Sequence, residues 1–551
     1  MNFHTIGLLC MMAVPWVGCT ISDEASYDGV APAPTATAAD LGPDAPWYPC
    51  PSRPGIFAEC VKLNVPLDWD DPTGPAINYF VKRSLAKTQP ARGQVWILQG
   101  GPGGSGGSIE HLAPLFREMA DDLDIYIPDH RGTGYSEYLD CPSFNDIRGH
   151  ADTQLPAIKA AAKSCAASLK ATYGEGLAHF TAADAARDLG ELAARVRGPD
   201  QQLYIYGVSY GTRWLHRYLQ QFPDQATGVI FDSSEDENET SWWTYNDNVN
   251  AGAKRIFDDC SADTFCQSKM GPDAWAMAQQ TMARLDTEEG CPTEAGWTKL
   301  DYLALLSTIV RMSYTARAEV VPLMYRLNRC DSTDQEVLTS VFDAVFWSSP
   351  WSYHARGLYY NVAASELLPT PAPTDADILA GDEALTILGQ SVRVLRVIQG
   401  VWPLYDPSPW LGAYASTSTP VLILQGTYDI QTPLGPAEAF ASHFQGANQT
   451  FVPIDRGSHG VIHNSPVIGT DTDCGTIVAR QFLADPTSEL TTSCATETPP
   501  LDFAFDGKDY GEGTVDLWEN DTTRDARDRK GMVNELGRLR QEASRILGGR
   551  L

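Results

Sequence analysis

The sequence predicts an α/β fold, a mostly parallel central sheet flanked by crossover helices and interrupted by a helical insertion. Three observations carry this. Short apolar runs at 76–81, 94–98, 125–128, 203–206, 228–231, 421–424 and 450–453 alternate with stretches of helical periodicity, the pattern of strands buried between helices. Glycine-rich turns follow directly on the runs at 94–98, 125–128 and 203–206. The interval from 240 to about 409 is aromatic-rich and helical, as in Leu303-Ala304-Leu305-Leu306 and Ala384-Leu385-Thr386-Ile387-Leu388, and offers no convincing buried strand.

In chain order, residues 6–17 form an apolar run too brief to span a bilayer, placed where a signal peptide carries its hydrophobic region. The run ends in Trp16-Val17-Gly18-Cys19, which resembles a bacterial lipobox. Residues 1–19 are therefore expected to hold a signal peptide and its lipobox-like cleavage site, with Cys19 retained as the lipid-bearing new N-terminus of an exported protein; plain secretion is the other reading. Residues 20–46, rich in Ala, Pro, Thr and Asp, are expected to be a flexible tether. The core is expected over 47–239, the helical cap over 240–409 with a Pro-rich turn at 369–373, the rest of the core over 410–510, and a tail over 511–551 whose stretch 525–547 has helical spacing.

Composition narrows the partners. The 551 residues are 43% hydrophobic and 20% charged, enough to bury a large core, and the formal charge of −30 repels nucleic acid and anionic lipid. Nucleic acid is thus excluded, and membrane contact is expected only through a lipid on Cys19. Beyond Cys10 and Cys19, ten cysteines remain, an even number that in an exported chain suggests disulfides between neighbours along the sequence. No CxxC pair or Cys/His cluster has zinc spacing, and neither metal nor cofactor is expected.

The chemistry is concentrated in the turns. Gly207-Val208-Ser209-Tyr210-Gly211 lies between the run 203–206 and a helix-compatible stretch at 214–222, the arrangement of a nucleophile elbow in which Ser209 sits on a strained strand-to-helix turn. Gln99-Gly100-Gly101-Pro102-Gly103-Gly104-Ser105-Gly106 follows the run 94–98. It lacks the Gly-Lys-Ser/Thr of a phosphate-binding loop. In a serine hydrolase such a loop supplies one backbone N–H to the oxyanion hole and the residue after the nucleophile supplies another; Gly101 and Tyr210 are the expected donors. An acid and a histidine should follow in that order. Asp429, in Gln425-Gly426-Thr427-Tyr428-Asp429, and His459, in Arg456-Gly457-Ser458-His459-Gly460, end two late strands. Asp232 and His463 are their rivals.

Taken in order, Gly-Gly-Pro-Gly-Gly-Ser-Gly, Asp129-His130-Arg131-Gly132-Thr133-Gly134-Tyr135-Ser136 and Gly-Val-Ser-Tyr-Gly resemble the proline iminopeptidase and tripeptidyl aminopeptidase group of α/β-hydrolase serine peptidases. Val65-Pro66-Leu67-Asp68-Trp69-Asp70-Asp71-Pro72 resembles the start of the secreted tripeptidyl aminopeptidase branch. The likeness runs from about 50 to 494, weakest across the cap, and implies an α/β-hydrolase fold with Ser209, Asp429 and His459 as triad. Gln99 stands where that group carries His or Asn. Asp129 and Arg131 are expected to pair with each other and hold their loop.

The resemblance further implies release of short peptides, tripeptides among them, from unblocked N-termini through an acyl-enzyme. A free N-terminus would need a carboxylate near the cap; Glu235 and Glu366 are the candidates, with Asp236, Glu237 and Glu239 beside the first. An esterase would use the same triad without needing a free amine. A non-catalytic surface binding protein would show a broken triad, and the sequence contains every member.

Overall fold

A computed structural model describes residues 36–37, 46–504 and 515–518, apart from 53–56, 146, 148–153, 286, 288–289, 292–296, 312, 315, 347–354, 370, 389–391 and 407. The signal and lipobox residues through Cys19 and the helical spacing at 525–547 lie outside the described residues. Within the stretch read as a tether, Ala36–Thr37 (β1) pairs in parallel with the sheet edge at Leu63 and Asn64.

Among the described residues the sheet has ten strands. After β1 come Tyr48–Cys50 (β2), Ala58–Pro66 (β3), Ala76–Ser84 (β4), Gly93–Leu98 (β5), Leu123–Pro128 (β6), Gln202–Val208 (β7), Gly228–Asp232 (β8), Val421–Gly426 (β9) and Gln449–Ile454 (β10). Their order across the sheet is β1-β3-β4-β6-β5-β7-β8-β9-β10, with β2 beside β3. From β6 to β10 every pairing is parallel, and β4 runs antiparallel to both β6 and β3. β2 and β3 were not foreseen in the sequence.

Every residue of β5, β6, β8 and β9 is buried, as strands covered on both faces must be. Side chains alternate between the two covering layers. Trp96, Leu98, Ile205, Phe231 and Ile423 join Leu189, Trp214 and Tyr218 of the helices Ala182–Val196 and Tyr210–Gln221. Val95, Ile97, Tyr206, Ile230 and Leu422 face Phe116, Val478 and Phe482 on the other side.

Between β8 and β9 the chain leaves the sheet as helices from Tyr245–Ala262 to Val392–Gln399. They divide in two by packing. Helices Tyr245–Ala262, Lys299–Val310 and Val320–Arg329 build their own cluster around Phe257, Leu306 and Met324, which the later residues Phe503 and Trp518 also join. Leu358, Val362, Leu395 and Trp402 belong instead to the main core. Among the described residues five disulfides join neighbouring cysteines: Cys50–Cys60, Cys141–Cys165, Cys260–Cys266, Cys291–Cys330 and Cys474–Cys494.

The expected Asp129–Arg131 pair does not form. Gly134, at φ +53°, turns the chain back so that Asp129 accepts from the Tyr135 and Gly106 N–H groups at 2.7 and 2.6 Å. Arg131 reaches Asp188 through two bonds of 2.7 Å and also donates to the Leu67 and His179 carbonyls. The carboxylate is satisfied by amides of the two adjacent loops after β5 and β6, whereas the guanidinium fork takes a carboxylate and carbonyls from several segments. The pair ties the loop after β6 to the helix Ala182–Val196.

Candidate active site

All the candidate loops leave the sheet at the carboxyl ends of parallel strands, where open α/β sheets place their sites. Ser209 follows β7 with φ 57° and ψ −131°, and Tyr210 opens the next helix. The turn is possible because its flanking glycines carry no Cβ: one at Gly207 would stand 2.4 Å from the Gly211 carbonyl oxygen, and one at Gly211 would stand 2.5 Å from that of Leu98. The Ser209 N–H donates to the Asp232 carbonyl at 3.1 Å, joining the elbow to the end of β8.

The loop after β5 packs against the nucleophile so closely that a Cβ on Gly100 would lie 2.7 Å from that of Ser209. Gln99 shapes it, accepting from the Gly100 N–H and donating to Ser108 Oγ, both at 2.7 Å. Gly101 has φ +133°, open to glycine, and with Tyr210 lines the cavity that holds Ser209.

Asp429 and His459 come together after β9 and β10, with His459 Nδ1 at 2.9 and 3.1 Å from the two carboxylate oxygens. Asp429 also accepts from the Gln431 and Thr432 N–H groups and from Thr432 Oγ1. Burial would raise its carboxyl, but the imidazole and these donors outweigh burial and hold it below the usual carboxylate range. Burial would lower the His459 imidazole; Asp429 outweighs that and raises it. Donation from Nδ1 leaves Nε2 as the acceptor.

Asp232 has a different task from the acid role weighed in the sequence. It accepts from Tyr206 Oη and from the Val461 and Ile462 N–H groups at 2.7 to 3.1 Å, so it fixes the loop just after His459. Burial raises its carboxyl to about 6, against the pull of these donors. His463 lines the cavity, its ring edge-on to His111. Arg317, missed in the sequence, comes from the cap and donates to the carbonyls of Tyr428 and Arg456. It thereby bridges the loops of Asp429 and His459. Burial lowers its guanidinium to about 10, and the Tyr314 and Tyr428 rings lie 5.0 and 5.2 Å from it.

The cavity, of about 260 Å³, lies between core and cap and is lined by Ser209, His459, Glu235, Trp242 and Tyr245 among others. Beneath it Arg213, one helical turn beyond Ser209, donates to Glu235 at 2.7 Å and lies 3.9 Å from both Glu237 and Glu366. Arg217 pairs with Glu237 at 2.6 Å. Burial lowers the His216 imidazole, favouring its neutral form. Three carboxylates and two guanidiniums thus share this cluster, and of the carboxylates Glu235 lines the cavity. Glu366 is corrected as a direct contact: its side chain is 3% exposed, accepts from Tyr405 Oη at 2.6 Å and stands behind Arg213, outside the cavity lining. Glu237 is paired away in the same cluster, and Asp236 accepts from Tyr414 Oη.

The sheet order, the elbow and the Asp429–His459 contact define an α/β-hydrolase fold. The family model described as alpha/beta hydrolase fold matches residues 95–258. The chain is similar to tripeptidyl aminopeptidase of Streptomyces lividans, 27% identical over 200 residues that cover 34% of this chain and 37% of that protein. It is also similar to serine protease Hip1 of Mycobacterium tuberculosis, 30% identical over 218 residues that cover 36% of this chain and 41% of that one. The matched stretch thus spans less than half the length of these curated relatives. Among solved structures, proline iminopeptidase of Mycobacterium smegmatis aligns over 77% of this chain and 98% of its own, with 14% identity and a TM-score of 0.38.

Proposed function

We propose that the protein is an exported serine aminopeptidase that releases short peptides from free N-termini, with Ser209, His459 and Asp429 as its catalytic triad. The observation that carries the reading is the 2.9 Å contact of His459 Nδ1 with a buried, multiply bonded Asp429, beside the cavity that Ser209 also lines. His459 Nε2 takes the Ser209 proton as Oγ attacks the scissile carbonyl. The Gly101 and Tyr210 N–H groups receive the developing oxyanion, and His459 returns the proton to the leaving amine. Water then hydrolyses the acyl-enzyme by the same route. Asp429 holds the tautomer and stabilises the imidazolium.

Glu235 supports the aminopeptidase form of the reading, since it brings a carboxyl group to a partly apolar cavity, where a substrate ammonium could hydrogen-bond to it. Five disulfides support export, because such bonds persist in oxidising compartments. The test is hydrolysis of paired fluorogenic tripeptide amides, one with a free N-terminus and one acetylated. Cleavage of the free peptide alone is expected. Cleavage of neither, beside Ser209-dependent turnover of a simple ester, would move the assignment to an esterase.

A further inference from the structure

We infer that Arg311, in the cap, is a subsite for a carboxylate of the substrate; this rests on the aminopeptidase reading above and adds a specificity to it. Arg311 follows the helix Lys299–Val310 and lines the cavity together with Ser209, His459 and Glu235. It is 9% exposed. Its side chain makes one hydrogen bond among the described residues, from Nε to the Ser307 carbonyl of its own helix at 2.7 Å.

The other deeply buried arginines differ from it. Arg131 is matched by Asp188, Arg326 by Asp334 and the Leu517 carbonyl, Arg213 by Glu235, and Arg317 by two carbonyls. No described carboxylate lies within ion-pair distance of Arg311, and neither of its Nη atoms is among the polar atoms sealed inside the protein without a partner. Arg311 thus lines the cavity with no hydrogen-bond partner for either Nη among the described residues. A guanidinium so placed gains most from a planar anion that takes two parallel hydrogen bonds.

The cavity is thus polarised, with Glu235 on the floor over the nucleophile helix and Arg311 on the cap. A bound peptide could meet both, its ammonium at Glu235 and a carboxylate at Arg311. That carboxylate is either an acidic side chain near the scissile bond or the C-terminus of a short peptide.

Two matched sets of free-amine substrates test this. The first is tripeptide fluorogenic amides carrying Glu or Gln at each of the three positions in turn. The second is unlabelled hexapeptides with free or amidated C-termini. In one set the acidic member is expected to be favoured in kcat/KM by about tenfold or more, the scale on which charged hydrogen bonds discriminate. The set that responds identifies the source. Arg311→Met should bring the ratio to about one, and Arg311→Lys, keeping the charge without the fork, should retain part of it. Because each ratio is internal to one variant, a change in overall rate does not disturb it, and fluorophosphonate labelling of Ser209 reports folding. Should Arg311→Met fail to fold, the wild-type and Arg311→Lys ratios decide. Wild-type ratios near one in both sets, or a ratio unchanged in Arg311→Met, would overturn the inference and leave the aminopeptidase standing. Absence of any Ser209-dependent peptide cleavage would remove both.

Discussion

At His459 the electrostatics set a pH dependence with a definite sign. Asp429 raises the imidazole above its ordinary 6.5, and the proposed general base must be neutral to accept the Ser209 proton. Activity should therefore fall as pH drops, with an apparent pKa above 6.5 in the kcat/KM profile. Asp429→Asn removes the raising charge while burial still disfavours the imidazolium, so the acid limb should move below that of the wild type and kcat should fall by about 10⁴-fold. Stopped assays across pH check both. Glu235→Gln should raise KM for free-amine peptides by roughly tenfold and leave esters little affected, as expected where a charged hydrogen bond to the ammonium is lost. Ser209, Asp429 and His459 stood out as candidates in the sequence because each sits in a short motif at a strand end, and the structure brings Asp429 and His459 into contact beside the cavity that Ser209 lines. Glu366 misled because acidity is visible in a sequence and burial behind Arg213 is not. Arg311 and Arg317 carry no local signature, since what distinguishes them is the partners that the fold brings or withholds.

The elements that hold these residues are constrained by close backbone approach. Gly211→Ala should displace the elbow or the loop after β5, because the new Cβ would meet the Leu98 carbonyl oxygen at 2.5 Å. Overpacking of this kind costs about 1–3 kcal/mol, so a lowered denaturation midpoint should accompany lost fluorophosphonate reactivity at Ser209. The inner strands were readable as apolar runs because both of their faces are covered. β3 was missed because it alternates, with Val61, Leu63 and Val65 inward and Lys62, Asn64 and Pro66 only partly buried. β2 is three residues long and lies beside it at the outer part of the sheet. The helix after the nucleophile starts at Tyr210 and not near 214, since the strained serine itself is the boundary.

Across the whole molecule, stability rests on ties between segments distant in sequence. Arg131 and Asp188 are both fully buried, and removing one partner of such a pair costs about 3–5 kcal/mol. Arg131→Met should therefore lower the unfolding free energy by that order, and Asp188→Asn added to it should recover part, measured by denaturant titration. The insertion was visible as a helical interval, but its division was not. Its first helices close their own cluster, stapled by Cys291–Cys330, while Leu358 and Trp402 belong to the main core. Only packing reveals that, and it means the cap is anchored rather than hinged on a single linker.

Ser209 is proposed as the nucleophile of a cavity that binds free-amine peptides. The most direct test of that role is to react the folded protein with a fluorophosphonate and map the adduct by mass spectrometry, with and without a competing tripeptide. A single adduct on the peptide containing Ser209, absent in Ser209→Ala and suppressed by a free-amine tripeptide but not by its acetylated form, is the predicted result. An adduct at another serine, or no adduct on folded protein, would contradict it.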